Sequence, residues 1–243
     1  MTTRMTVNAW KEQTNPRTLL NRLGKKATPR KLRLFACACA RRVWHLIKSQ
    51  ACQKAVIQAE KAADNLITFD QLRAIAQSTY IARHEGDSNR NYAEERACLD
   101  AGTAAANCAW ATEALHNAHI VARQAATAEA WFAASKVPPW ELQSEVWSQG
   151  LREAEESQCN ALREMFHPFK GAKLDPYWLE WNNGTVPALA HTIYHEKRFE
   201  EMPILGDALE DAGCENELLL SHCREETEHF RGCWILDLIL KFD

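Results

Sequence analysis

At 243 residues the chain can bury a full hydrophobic core, and its 46% apolar and 25% charged residues exclude a disordered or collagen-like protein. The net charge of −3 selects no partner, but its distribution is uneven: Gln13 to Ala59 holds eleven Lys and Arg and no acid, whereas Glu196 to Glu228 holds eleven acids against Lys197, Arg198 and Arg224. Nine cysteines without an apolar leader, and no apolar run near the roughly 18 residues of a membrane span, predict a cytoplasmic chain whose thiols are unpaired or metal-bound.

Helical patterning runs through the sequence and strand patterning is nearly absent. Asn15 and Pro16 read as N-cap and first helical residue, with Gly24 as the stop. Thr28 and Pro29 repeat the device and open a helix predicted to reach about Lys48. Its stripe of Leu32, Phe35, Ala36, Cys39, Val43, Leu46 and Ile47 faces a core, and Arg30, Arg41 and Lys48 lie opposite. Ala51 to Leu66 is a further helix, and Thr68 with Gln71 forms a capping box for one reaching about Arg83. Glu85 to Asn91 is a polar loop. The alanine-rich region Ala97 to Ala134 exceeds the usual length of one helix, and Gly102 or Asn117 is the expected break. Pro138-Pro139 suggests a soft internal division near 136–139 in what reads as one all-helical unit over 1–243. A long helix is predicted from Trp140 to Phe166. Asp175-Pro176 starts another segment, Asn183-Gly184 is a turn, and Thr185 opens a helix towards Phe199. Trp178 and Trp181, three apart, are expected to bury at least one indole.

The C-terminal stretch is dense in signals. Ile204, Leu205, Ala208 and Leu209 recur at helical spacing before Gly213, and Leu218 to Leu220 begin a short helix ending near His222. From Gly232 to Phe242 nearly every face is apolar, which predicts a buried C-terminal helix. The fold class is therefore an all-α multi-helix bundle or array. Asp237 interrupts the last helix, and a buried carboxylate needs a partner. Arg41 or Arg42, bordering the apolar face of the basic helix, is the predicted ion-pair partner, with His229 or Arg231 as fallback.

Three groups of residues carry candidate chemistry. Cys214, His222, Cys223, His229 and Cys233 place five zinc-type donors within twenty residues, although no C-x2-C knuckle is present and a cysteine is often just a small buried side chain. No cofactor is assigned, with zinc as the candidate if a metal binds. His191 and His195, four apart, can face one metal but lack the H-E-x-x-H order of a metalloprotease, so a solvated surface pair is favoured. Cys37 lies beside cations but has no evident base. Arg30, Lys31, Arg33, Arg41, Arg42 and Lys48 offer a basic face for an acidic protein or nucleic acid, or for carboxylates of the chain itself.

Three blocks, RKLRLFACACARRVWHL (Arg30 to Leu46), LDPYWLEWNNGTV (Leu174 to Val186) and LGDALEDAGC with the later LLSHCR and HFRGCWILDL (Leu205 to Leu238), together resemble an uncharacterised family abundant in planctomycete-type bacteria. The opening WKEQTNPRTLLNRL is similar as well. The resemblance implies a folded bacterial protein and carries no activity with it. The leading functional expectation is a non-catalytic helical interaction or adaptor module with a protein partner and no membrane. The alternatives are nucleic-acid or acidic-partner binding through residues 29–48, and a metal-dependent enzyme built on the C-terminal Cys and His residues.

Overall fold

The computed structural model of the chain describes residues 6–82, 91–110, 112–138, 143–167 and 173–242. Most of the predicted loop from Glu85 and the expected helix start at Trp140 lie outside the described residues. Twelve α-helices and no strand are present among them, and the helical share of 78% is far above the roughly one third of an average globular protein. The chain is all-α, and its residues group into two compact units, 1–162 and 163–243.

The first unit holds α1 (Val7–Glu12), α2 (Pro16–Leu23), α3 (Pro29–Arg42), α4 (Gln50–Ala63), α5 (Phe69–Ala82), α6 (Tyr92–Cys108), α7 (Ala114–Ala134) and most of α8 (Gln143–Met165). The starts follow the capping chemistry of the sequence. Asn15 Oδ1 accepts from the Thr18 N–H, Thr28 Oγ1 from Lys31, and Thr68 and Gln71 close their reciprocal box. Two boundaries depart from expectation. α3 ends at Arg42, not Lys48, and the chain turns through a short 3-10 segment, Trp44–Leu46. Two carbonyls of the chain beyond α3 accept from side chains, His45 from Lys48 Nζ and Ile47 from Gln53 Nε2, both at 2.8 Å. Neither Gly102 nor Asn117 breaks the alanine-rich region. The break lies between α6 and α7, where Glu113 adopts the left-handed conformation (φ 53°) and the Asn117 amide donates to the Thr112 carbonyl.

Alanines let these helices lie close together. Ala97, Ala101, Ala104 and Ala105 on α6, and Ala118, Ala125 and Ala126 on α7, are essentially buried. At Gly150 on α8 an added Cβ would stand 3.2 Å from the Ala130 Cα, so a hydrogen there permits the approach to α7.

The second unit begins at Arg163 in the last turn of α8 and continues with α9 (Pro176–Glu196), α10 (Met202–Asp211), α11 (Glu217–Arg224) and α12 (Trp234–Leu240). α9 is broken at the predicted turn: Trp181 is extended and Asn182, Asn183 and Gly184 all have positive φ. Asn and Gly tolerate that region at the least cost. Thr185 does not accept from the backbone as an N-cap; its hydroxyl donates to the Asn182 carbonyl. Val186, Ile193, Tyr194, Met202, Leu205, Leu209, Leu219 and Cys223 form the core with Trp234, Ile235, Leu236 and Ile239 of α12. The C-terminal helix is thus buried, as its all-round apolar pattern predicts. Trp178 and Trp181 are both half-buried against this core.

Candidate functional site

The basic helix finds its counter-charges inside the first unit. Arg41 pairs bidentately with Glu60 on α4 (2.8 and 3.0 Å) and lies over the Trp44 ring, and Arg42 pairs bidentately with Glu129 on α7 (3.1 Å). Arg30 reaches Asp64 at 3.2 Å. Lys31 and Arg33 are buried, the latter over Phe69, and Lys48 remains exposed. Arg41 and Arg42, the partners expected for Asp237, thus each hold a carboxylate of their own unit. Asp237 itself is buried in the second unit. Cys37 is buried too, and the hydrogen bond with its neighbour Cys108 together with burial pushes its thiol well up, the reverse of what thiol catalysis needs.

The first unit also has an open groove of about 1300 Å³, floored by Leu20, Leu32, Ala122 and Ala126 and flanked by Trp147 and Leu151 of α8. His119 lines it, its Nε2 3.1 Å from the Asn21 Oδ1, and burial with nearby Arg17 and His116 lowers its affinity for a proton. Burial raises the carboxyl of Glu155, another lining residue. Two more polar atoms of lining residues, Trp147 Nε1 and Gln158 Oε1, are buried without a hydrogen-bond partner among the described residues.

The densest chemistry lies in the second unit, where Glu164, His222, His229 and Cys233 are all buried and offer one ligand atom each within 4.8 Å of one another. The group can hold a metal ion. Glu164 Oε1 is 2.9 Å from His229 Nδ1, and Glu164 Oε2 is 3.2 Å from His222 Nε2, so one carboxylate bridges two imidazoles. Burial pushes the Glu164 carboxyl up, but the hydrogen bonds from His222 and His229 outweigh it and hold the group below its usual range. Burial likewise disfavours charge on His229, but Glu164 prevails and the imidazole holds its proton more tightly than usual. His229 Nε2 is buried and has no hydrogen-bond partner among the described residues.

Cys233 Sγ is 3.4 Å from His222 Nε2, which at first sight suggests a Cys-His-Glu catalytic set. The proton positions exclude it. The Trp234 indole is a donor alone, and it donates to His222 Nδ1 at 3.3 Å. That nitrogen is therefore the acceptor, Nε2 carries the ring proton towards Glu164, and no lone pair remains there to deprotonate the thiol. Burial and the adjacent Glu164 also push the Cys233 thiol well up. Thiol catalysis needs the reverse.

Of the five expected zinc donors, the fold brings together His222, His229 and Cys233. Cys214 and Cys223 are not in this group, and burial pushes the Cys223 thiol up to about 12. Glu164, at the end of α8, replaces them. It has no signal in the C-terminal stretch, and its single trace is an acid set beside the buried Leu162, Met165 and Phe166. His191 and His195 are exposed on α9 with their rings 4.2 Å apart.

Fold and sites together define the class, an all-α chain of packed helices whose described residues include an open groove and a buried polar cluster, and in which no described helix is long and apolar enough to cross a membrane. No family model, curated protein or solved structure matches the chain.

Proposed function

We propose that the chain is a non-catalytic helical interaction module of a bacterial cytoplasm, and that its first unit takes an amphipathic helix of a protein partner into the groove beside α7. The groove itself carries this reading. Its volume of about 1300 Å³ exceeds the roughly 300–1000 Å³ usual for small-molecule pockets, and its lining is mostly apolar. An apolar helix face suits such a lining. Leu115, 39% exposed at the rim, is the apolar side chain a partner would cover.

The absence of disulfides among nine cysteines supports a reducing compartment. A nucleic-acid role for α3 has less support, since Arg30, Arg41 and Arg42 are engaged by Asp64, Glu60 and Glu129. An enzyme built on the histidine and cysteine cluster has less still, because the cluster is buried away from substrate. The resemblance of three sequence blocks to a planctomycete-type family supports a bacterial setting and adds no activity.

A displayed library of amphipathic helical peptides, panned against the full chain, tests the proposal. Enriched peptides should bind with micromolar affinity and lose about tenfold or more to Leu115→Asp, a change that leaves the circular dichroism spectrum intact. Peptides indifferent to Leu115→Asp, or no enrichment, would overturn it. Salt-sensitive binding to duplex DNA at low ionic strength, abolished by Lys48→Gln, would favour the α3 reading instead.

A further inference from the structure

We propose that Glu164, His222, His229 and Cys233 form a structural zinc site within the second unit, independent of any partner in the groove.

The donors fit this ion in kind. One thiolate, two imidazoles and one carboxylate are ligands that zinc accepts in four-coordinate sites. They fit in charge as well. A dication with Glu164 and Cys233 both ionised sums to zero, and a neutral site is the least costly to keep in a core where all four residues are buried. Separations point the same way. Zinc bonds of roughly 2.0–2.3 Å place tetrahedral ligands about 3.3–3.6 Å apart. His222 Nε2 lies 3.2 Å from Glu164 Oε2 and 3.4 Å from Cys233 Sγ, and the widest pair in the group is within 4.8 Å. A contraction of about an ångström at the widest edge closes the tetrahedron.

A second observation comes from His229. A buried nitrogen without a well-formed hydrogen bond is costly, yet its Nε2 makes none among the described residues, where the Glu225 backbone is the ring's remaining polar neighbour. The protein-only hydrogen bonds leave this cluster unsatisfied at that atom. With a metal present, either ring nitrogen can ligate and the other can keep a proton for Glu164 or the nearby Glu225 backbone carbonyl.

Proton accounting yields a distinctive signature. Zinc binding releases the Cys233 thiol proton, and the extra proton of His229 where that ring is charged, to solvent. His222 changes tautomer on loading, because Nε2 must present its lone pair and the ring proton moves to Nδ1. Nδ1 then cannot accept from the Trp234 indole, now 3.3 Å away, so that hydrogen bond breaks on loading. With four protein ligands no coordination position stays open, which makes the site structural and not catalytic.

The test is elemental analysis of the reduced full-length chain, expressed in zinc-supplemented medium and purified without chelator or immobilised metal. One zinc per chain is expected. Cobalt(II) added after zinc removal should give tetrahedral visible bands with a thiolate charge-transfer band, and Trp fluorescence should change on loading and not in Trp234→Phe. Cys233→Ser should remove the charge-transfer band, whereas Cys223→Ser, a neighbouring buried thiol outside the set, should keep it. If Cys233→Ser fails to fold, the wild-type cobalt spectrum decides. An octahedral spectrum without a thiolate band, a band lost in Cys223→Ser and kept in Cys233→Ser, or no uptake of either metal would overturn the proposal.

Discussion

The two units solve opposite problems. The first is long and pairs Arg41 and Arg42, each about one third exposed, with Glu60 and Glu129 where water still reaches the guanidinium groups, while the interior of α6 and α7 is largely alanine. The second is short and places its strongest polar contacts in the middle, with one carboxylate between two imidazoles next to Trp234. A small unit buries a smaller fraction of its surface, so each buried polar contact weighs more in its stability. The comparison teaches that the number of charged residues says little about their worth. Eleven cations near the N-terminus matter less, one by one, than a single glutamate in the other unit.

Removing that glutamate is the severest way to break the contrast. Glu164→Leu leaves the imidazoles of His222 and His229 buried without their carboxylate, and a loss of about 3–5 kcal/mol is expected in the second unit. Urea unfolding followed by far-UV circular dichroism should then show an early transition with an amplitude set by α9–α12. A shift below about 1 kcal/mol would mean the cluster does not hold the core.

Glycine contacts sharpen the comparison at an intermediate level. Alanine is the better helix former by about 1 kcal/mol, so Gly206→Ala would stabilise α10 if space allowed. Space does not allow it, because the new Cβ would stand 3.0 Å from the Cys223 Cβ on α11, and overpacking costs about 1–3 kcal/mol. The net sign should be destabilising, by about 1 kcal/mol. Gly150→Ala meets the Ala130 backbone at 3.2 Å and should behave alike in the first unit. A rise in melting temperature for either would show that the helices can move apart freely.

The smallest effect belongs to the surface pairs. Arg42→Met removes a bidentate but solvent-screened contact with Glu129, and a loss of no more than about 1 kcal/mol is expected, shrinking further in high salt. Arg41→Met should cost slightly more, since Glu60 is better buried and the Trp44 face is lost as well. Denaturation at two ionic strengths reads both. A salt-independent loss above about 2 kcal/mol would erase the distinction between the units.

Local sequence determined the helices and most of their ends. Asn15, Thr28, Thr68 and Asp175 cap where their side chains reach the next free N–H groups, a matter of a few residues and fixed geometry. The burial of α12 was also legible, because a helix apolar on every side has no face to offer water. Tertiary structure decided the rest. It ended α3 at Arg42, with Lys48 and Gln53 donating to carbonyls of the turn that follows, and it moved the α6–α7 break to Glu113 despite the helix-weakening Gly102. Above all it chose the cluster. Sequence proximity grouped Cys214 and Cys223 with His222, His229 and Cys233, but the fold put Glu164 from α8 among them and left two cysteines out. Spacing along a chain predicts which side chains share a helix face; which faces then meet depends on long-range packing, and no short-range pattern encodes it.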